Sequence, residues 1–274
     1  MVLFTIRHLI SVICVICLVF SFNLPVFAVS LDTPSLTEEQ IREGENLTNQ
    51  AFTAISNGDF VQAEKFFTEL ITKFPENPAV WSNRGNVRIS ENKIEEAIAD
   101  FNQSVDLAPD YPDAYLNRGI AYELQQNWEQ AIMDYQQVIA IDPQDAMAYN
   151  NLGNALAGMG NWEEALANYS KATQINPNFA LAHANYALIL YQTGQKDKAL
   201  RSFRNLVRKY PMFPDVRAAL TAVLWENGQQ GEAESNWVAT VGVDSRYQDL
   251  SWVENGRRWP PLMVAALEKF IKLQ

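Results

Sequence analysis

Histidine and cysteine are nearly absent from this 274-residue chain, which has two of each. That supply is too small for a zinc or iron–sulfur site of the usual kind, so neither a metal nor any other cofactor is expected. Cations are also scarce: 21 Lys and Arg face 32 Asp and Glu, a net charge of −11. Such a balance repels phosphate backbones and anionic lipid heads, which excludes nucleic acid as an expected partner. Glycine-rich phosphate loops and serine or threonine nucleophile motifs are missing. The paired carboxylates Glu95/Glu96 and Glu163/Glu164 are sequence neighbours that open helices, where acids favour the positive end of the dipole. They are not an acid and a base facing each other across a cleft. No enzyme is expected. What the chain does have is 48% hydrophobic residues, far too apolar a composition for disorder.

Both cysteines fall in the first segment. Arg7 and His8 end a weakly basic start, Leu9 to Phe22 is an apolar run, and Pro25-Val26-Phe27-Ala28 offers a small residue before a cut after Ala28. This is the layout of a secretory signal peptide over residues 1–28, with 29–43 as a lead-in. The alternative is an uncleaved membrane anchor formed by residues 9–29, a length of about the ~20 residues that span a bilayer. Export to a periplasm or a thylakoid lumen is the expected destination.

A repeat organises the rest. Pro75, Pro109, Pro143, Pro177 and Pro211 are spaced by 34 residues. Twelve residues before each proline, and once more beyond, stand Ala63, Ala97, Ala131, Ala165, Ala199 and Ala233. Four residues after each alanine comes an aromatic: Phe67, Phe101, Tyr135, Tyr169, Phe203 and Trp237. A third column reads Gly58, Asn92, Gln126, Gly160, Gly194 and Gly228, mostly residues that accept positive φ and so end a helix cheaply. A proline forbids continuation of the helix before it. Each unit therefore holds two short amphipathic helices that cannot bury their apolar faces alone and must stack on neighbours. Small residues such as Gly119 and Ala131 let the paired helices approach, with the column aromatic filling space against the neighbouring unit.

At these residues the chain resembles the tetratricopeptide repeat (TPR) family, whose period is 34 and whose motif places Ala, an aromatic and Pro late in each unit. The resemblance covers residues 44–247 as six units beginning near Gly44, Pro78, Pro112, Ala146, Ala180 and Pro214. It implies an all-α, right-handed α-solenoid of six helix pairs with a concave and a convex wall. Residues 248–274 form a C-terminal extension, with Leu262 to Leu273 as a capping helix.

The concave wall should carry one asparagine per unit: Asn49, Asn83, Asn117, Asn151 and Asn185. Asparagine is a mediocre helix former, so five in register call for a reason beyond propensity. A carboxamide both donates and accepts, which matches an extended peptide backbone. Similar ladders line peptide grooves in the family, and the resemblance puts that role on these five residues; the other reading is that they hydrogen-bond within their own repeats. A carboxylate clamp is not expected, because Ser82, Asp113, Asn150 and Leu181 stand where its lysines would be. Arg84 and Arg118 read as ion-pair partners of acids on the second helices, and His183 as a packed residue in the column of Trp81 and Tyr149.

In the extension, Arg257-Arg258-Trp259-Pro260-Pro261 is extended and Met263, Ala266, Leu267 and Phe270 share a helix face. This segment reads as a cap on the open end of the last repeat, or else as a docking site through Arg257, Arg258, Trp259 and Phe270. The tail resembles exported tetratricopeptide proteins of cyanobacteria and plastids, which implies a helper of photosynthetic or other membrane complexes. The expected function is a non-catalytic scaffold gripping a protein segment in its groove, with membrane contact only indirect or through an N-terminal anchor. The alternative is a bridging module that acts through its convex face and tail.

Overall fold

The computed structural model describes residues 36–273; the proposed signal or anchor at residues 1–28 lies outside them. The described residues are helical throughout, with no strand among them. Six helix–turn–helix pairs follow one another: α1 (Glu38–Ser56) with α2 (Phe60–Lys73), α3 (Pro78–Ser90) with α4 (Ile94–Leu107), α5 (Pro112–Leu124) with α6 (Trp128–Ile141), α7 (Ala146–Gly158) with α8 (Trp162–Ile175), α9 (Ala180–Gln192) with α10 (Lys196–Lys209), and α11 (Pro214–Glu226) with α12 (Gln230–Val243). A 3₁₀ turn (Ser245–Gln248), a π turn (Trp252–Gly256) and α13 (Pro261–Ile271) complete the chain. The pairs divide into an N-terminal unit that ends at Pro143 and a C-terminal unit that begins at Gln144.

The column between paired helices does what its composition predicts. All six positions have positive φ, from +57° at Gln126 to +79° at Gly160. This left-handed residue lets two amides fold back: Gly58 N–H donates to Ile55 O at 2.9 Å and Asp59 N–H to Ala54 O at 2.9 Å, and the bonds recur in the other five turns. Orphan carbonyls at each first-helix end are thereby satisfied.

Within a pair, the column aromatic lies on a glycine of its own partner helix. A Cβ at Gly119 would stand 2.6 Å from the Tyr135 ring, one at Gly85 2.6 Å from Phe101, and one at Gly153 2.7 Å from Tyr169. In these three pairs the glycine makes room for the ring of the facing helix. Phe67, Phe101, Tyr135 and Phe203 are completely buried.

Consecutive pairs are joined by two recurrent devices. In four of the pairs a side chain near the start of the first helix reaches the carbonyl of the proline that closed the preceding helix. Trp81 Nε1 donates to Pro75 O (2.7 Å), Tyr115 OH to Pro109 O (3.1 Å) and Arg217 Nε to Pro211 O (2.7 Å). His183 Nε2 lies 3.1 Å from Pro177 O in the same arrangement, so that nitrogen carries the proton, since a carbonyl only accepts. Its place beside Trp81 is structural, as its column implied. The second device uses Arg84 and Arg118. Each makes a two-pronged ion pair with an acid of its own second helix, Asp100 or Asp134, at 2.7–2.9 Å. Each also donates to the preceding pair, at Thr68 or Asn102.

The tail folds back on the repeats: α13 packs on α11 and α9, the first helices of the last two pairs. Met263, Leu267 and Phe270 have no exposure, and Phe270 meets Trp225 and Trp237 edge-on at 5.2 and 5.3 Å. Fully burying side chains of this size contributes about 1.5–3 kcal/mol each. With Val253 and Trp259 also buried, detaching the extension costs on the order of 10 kcal/mol, so it is a fixed part of the C-terminal unit.

Candidate functional site

The first helices α1, α3 and α5 of the N-terminal unit place Asn49, Asn83 and Asn117 at one repeat position. Asn49 is exposed and opens on a hollow of ≈ 400 Å³ that Gln50, Thr53, Gln62 and Phe66 also line. Asn83 and Asn117 are buried, and the Asn117 amide donates to Ser82 Oγ at 3.4 Å, which ties α5 to α3. Asn86, almost one turn beyond Asn83, is 0% exposed. Five buried polar atoms of this seam have no hydrogen-bond partner in the protein: Thr48 Oγ1, Asn83 Nδ2, both amide atoms of Asn86, and Asn117 Oδ1. An unmatched buried polar group costs about 1–3 kcal/mol, and folded proteins rarely tolerate several together. The unpartnered atoms include both donors and acceptors, as a peptide backbone does.

The arginines of α3 and α5 are all engaged, whereas Arg42 on α1 is exposed. Arg84 and Arg88 are both paired with Asp100, Arg88 also with Glu64, and Arg118 with Asp134. Lys93 and Arg88 hold the Glu64 carboxyl at a pKa of about 2, against a burial effect that works upward. The described part of this unit carries 19 Asp and Glu against 7 Lys and Arg. Beside Asn83 and Asn117 the arginines are already paired, and the net charge disfavours a terminal carboxylate.

The other two asparagines behave differently. In the C-terminal unit the Asn185 amide donates to Asn150 Oδ1 (3.1 Å) and Asn154 Oδ1 (3.2 Å). Asn150 donates to Asn151 Oδ1 (3.2 Å), and Tyr169 OH to Asn154 Oδ1 (2.8 Å). These carboxamides satisfy one another, which is the intramolecular alternative the sequence left open. The tail then covers the neighbouring faces of α9 and α11. Asn151 and Asn185 are thus engaged within the C-terminal unit.

Three of the four tail residues expected at a docking site are held inside. Trp259 is 3% exposed and Phe270 fully buried. Arg257 forms an ion pair with Asp215 at 2.9 Å. Arg258 is exposed, with φ +54°. Asp215, on α11, anchors the whole extension: its Oδ1 accepts from Tyr247 OH (2.6 Å), Arg257 Nε (3.0 Å) and Trp259 Nε1 (2.9 Å). Burial pushes the Asp215 carboxyl up, but Arg257 and the other donors outweigh it and hold its pKa below the ordinary value. A second anchor is Glu226, bound by Lys196 and Lys269, with Tyr191 OH donating to it. Burial raises its pKa, and these donors bring it down to about 2.

Sequence reading missed Thr48, Ser82, Asn86 and Asp215 as functional or anchoring groups. Asn86 follows Asn83 by three residues, close to one turn of a 3.6-residue helix, and that spacing is a usable signal. Asp215 follows Pro214 and looks like an ordinary first-turn acid. Among the described residues no three or more His, Cys, Asp or Glu side chains are grouped to hold a metal, and no helix is long and apolar enough to cross a membrane.

Comparison with known proteins matches the repeats directly. Models described as TPR repeat match residues 85–126 and 124–160, and models described as tetratricopeptide repeat match 146–179 and 185–211. No curated protein matches. Among solved structures, a tetratricopeptide repeat protein from Parabacteroides merdae shares 18% identity, over 84% of this chain and 93% of that one, with a TM-score of 0.64. Residues 41-end of MamA from Desulfovibrio magneticus share 19% identity over 61% and 94%, with a TM-score of 0.55. YrrB, described as a TPR protein with an unusual peptide-binding site, shares 19% over 70% and 97%, with a TM-score of 0.52. At such identities the likeness establishes the fold.

Proposed function

From the premise that this chain belongs to the tetratricopeptide repeat family, we propose that it is a non-catalytic scaffold that holds an extended segment of a partner protein. The segment lies on the first-helix face of the N-terminal unit. The observation that carries this reading is the set of five buried, unpartnered polar atoms on Thr48, Asn83, Asn86 and Asn117, against the mutually satisfied asparagines of the C-terminal unit. A backbone N–H and C=O supplied by a partner, admitted by rotation of the amide side chains, completes that seam. Each such bond contributes about 0.5–1.5 kcal/mol net, so affinity is modest and sequence-tolerant. The excess of acids, and the pairing of Arg84, Arg88 and Arg118 with Asp100, Glu64 and Asp134, favour an internal, neutral or basic segment over a C-terminal carboxylate.

The signal-like pattern at residues 1–28 supports action outside the cytoplasm, in a periplasm or thylakoid lumen, during assembly or maintenance of membrane complexes. The photosynthetic assignment rests on the resemblance of the tail alone. Selection from a random peptide display library on the full described chain tests the binding reading. The wild type should enrich binders, Asn83→Ala/Asn86→Ala/Asn117→Ala should lose them at unchanged helicity, and Asn150→Ala/Asn151→Ala/Asn185→Ala should retain them. Equal retention in both triple variants refutes the assignment.

A further inference from the structure

The second helices provide an internal comparison, because they occupy equivalent places in successive pairs. Helices α4, α6 and α12 contain no Lys or Arg at all. Helix α10 contains six, Lys196, Lys198, Arg201, Arg204, Arg208 and Lys209, against the single acid Asp197. The repeat scaffold therefore has no need of cations there. Two of the six are used locally: Lys196 pairs with Glu226 and Arg204 with Glu232. The acids nearest to α10 on other elements are thus already engaged. The remaining four have no acid partner. Lys198 contacts the Gln195 amide, Arg208 that of Asn205, and Lys209 that of Asn178 together with Pro177 O. Arg201 is exposed and makes no ion pair, although Asp197 stands one turn before it.

At 100° per residue, Lys198, Arg201, Asn205, Arg208 and Lys209 fall within one arc of about 100°, a stripe about 16 Å long at 1.5 Å rise per residue. All five are exposed, and Met212, 70% exposed, stands just beyond. Like charges at this spacing destabilise a helix by about 0.2–0.5 kcal/mol per pair. Arg208 and Lys209 gain from their place in the last turn, but Lys198 and Arg201 have no ion pair.

We propose that this outward face of α10 is a docking surface for an acidic protein segment, one with carboxylates at helical spacing. A discrete segment fits better than a broad polyanion. Within a Debye length of about 10 Å the stripe dominates, but a membrane or duplex extends much further and meets the acidic remainder of the chain. This surface is separate from the asparagine seam and does not depend on it.

The test uses fluorescence anisotropy of a labelled helical peptide with Glu at i, i+3, i+7 and i+11, and of an isomer with the same composition and clustered charges. The chain should bind the spaced peptide more tightly than the isomer, and the complex should weaken with salt. Arg201→Glu/Arg208→Glu should reduce affinity about tenfold or more, with melting unchanged because both side chains are exposed. Lys65→Glu/Lys171→Glu, an equal change in net charge elsewhere, should stay within about twofold. Equal losses in the two variants would reduce the effect to net charge and overturn the proposal. So would stripe-dependent binding of phosphatidylserine vesicles or duplex DNA without peptide binding, or a salt-sensitive dimer abolished by the same variant.

Discussion

Replacing Asp215 by alanine should loosen the C-terminal extension while sparing the N-terminal unit. The carboxylate is 2% exposed and receives Tyr247, Arg257 and Trp259, which lie 32, 42 and 44 residues downstream. Its removal takes the paired carboxylate from the half-buried Arg257 guanidinium and leaves two further donors without this acceptor. Breaking a buried pair in this way costs about 3–5 kcal/mol. The apolar contacts of Met263, Leu267 and Phe270 contribute more than that, so the segment stays docked but opens more often. Hydrogen exchange across residues 247–271 should accelerate by about two to three orders of magnitude, since 1.4 kcal/mol is a factor of ten. Adding Arg257→Met removes the stranded charge and should recover about 1–3 kcal/mol as a coupling in the double-mutant cycle. A loss below about 1 kcal/mol, or unchanged exchange in α13, would refute the anchoring role of Asp215.

Three other outcomes are expected. Gly119→Ala gains about 1 kcal/mol of helix propensity, but its Cβ meets the Tyr135 ring at 2.6 Å, so a net loss of about 1–2 kcal/mol should appear in thermal melting. Gln126→Gly relieves a non-glycine residue at φ +57° and should stabilise the N-terminal unit by about 0.5–1 kcal/mol in denaturant titration, whereas Gln126→Val should destabilise it. The Glu226 carboxyl, held at about 2 against an ordinary 4.5, stabilises the fold fully above pH 4.5 and loses that contribution as pH falls toward 2. Glu226→Gln should therefore flatten the acid limb of the stability curve, and carboxyl NMR should show Glu226 still ionised at pH 3.5. A titration midpoint near 4.5 would contradict the Lys196–Glu226–Lys269 arrangement.

The sequence by itself determined the helix pairs, their period and their turns. Those features depend on residues close in the chain: a positive-φ position, a closing proline, an alanine and an aromatic at fixed offsets. It also placed Arg84 and Arg118 on acids of their own second helices, because both partners recur inside one repeat, and His183 in a structural column. Tertiary structure decided which carboxamides are spent. Asn117 and Asn185 share a repeat position, yet one keeps an unpaired oxygen while the other bonds to Asn150 and Asn154, residues that belong to the preceding pair. It also decided where the tail goes. The apolar face of α13 is legible in sequence, but its seat on the faces of α9 and α11 turns on Asp215 and Glu226 meeting donors 30 to 44 residues away. Local periodicity encodes which side of a helix is buried. The partner that buries it is set by long-range complementarity of charge and shape, which no spacing rule records.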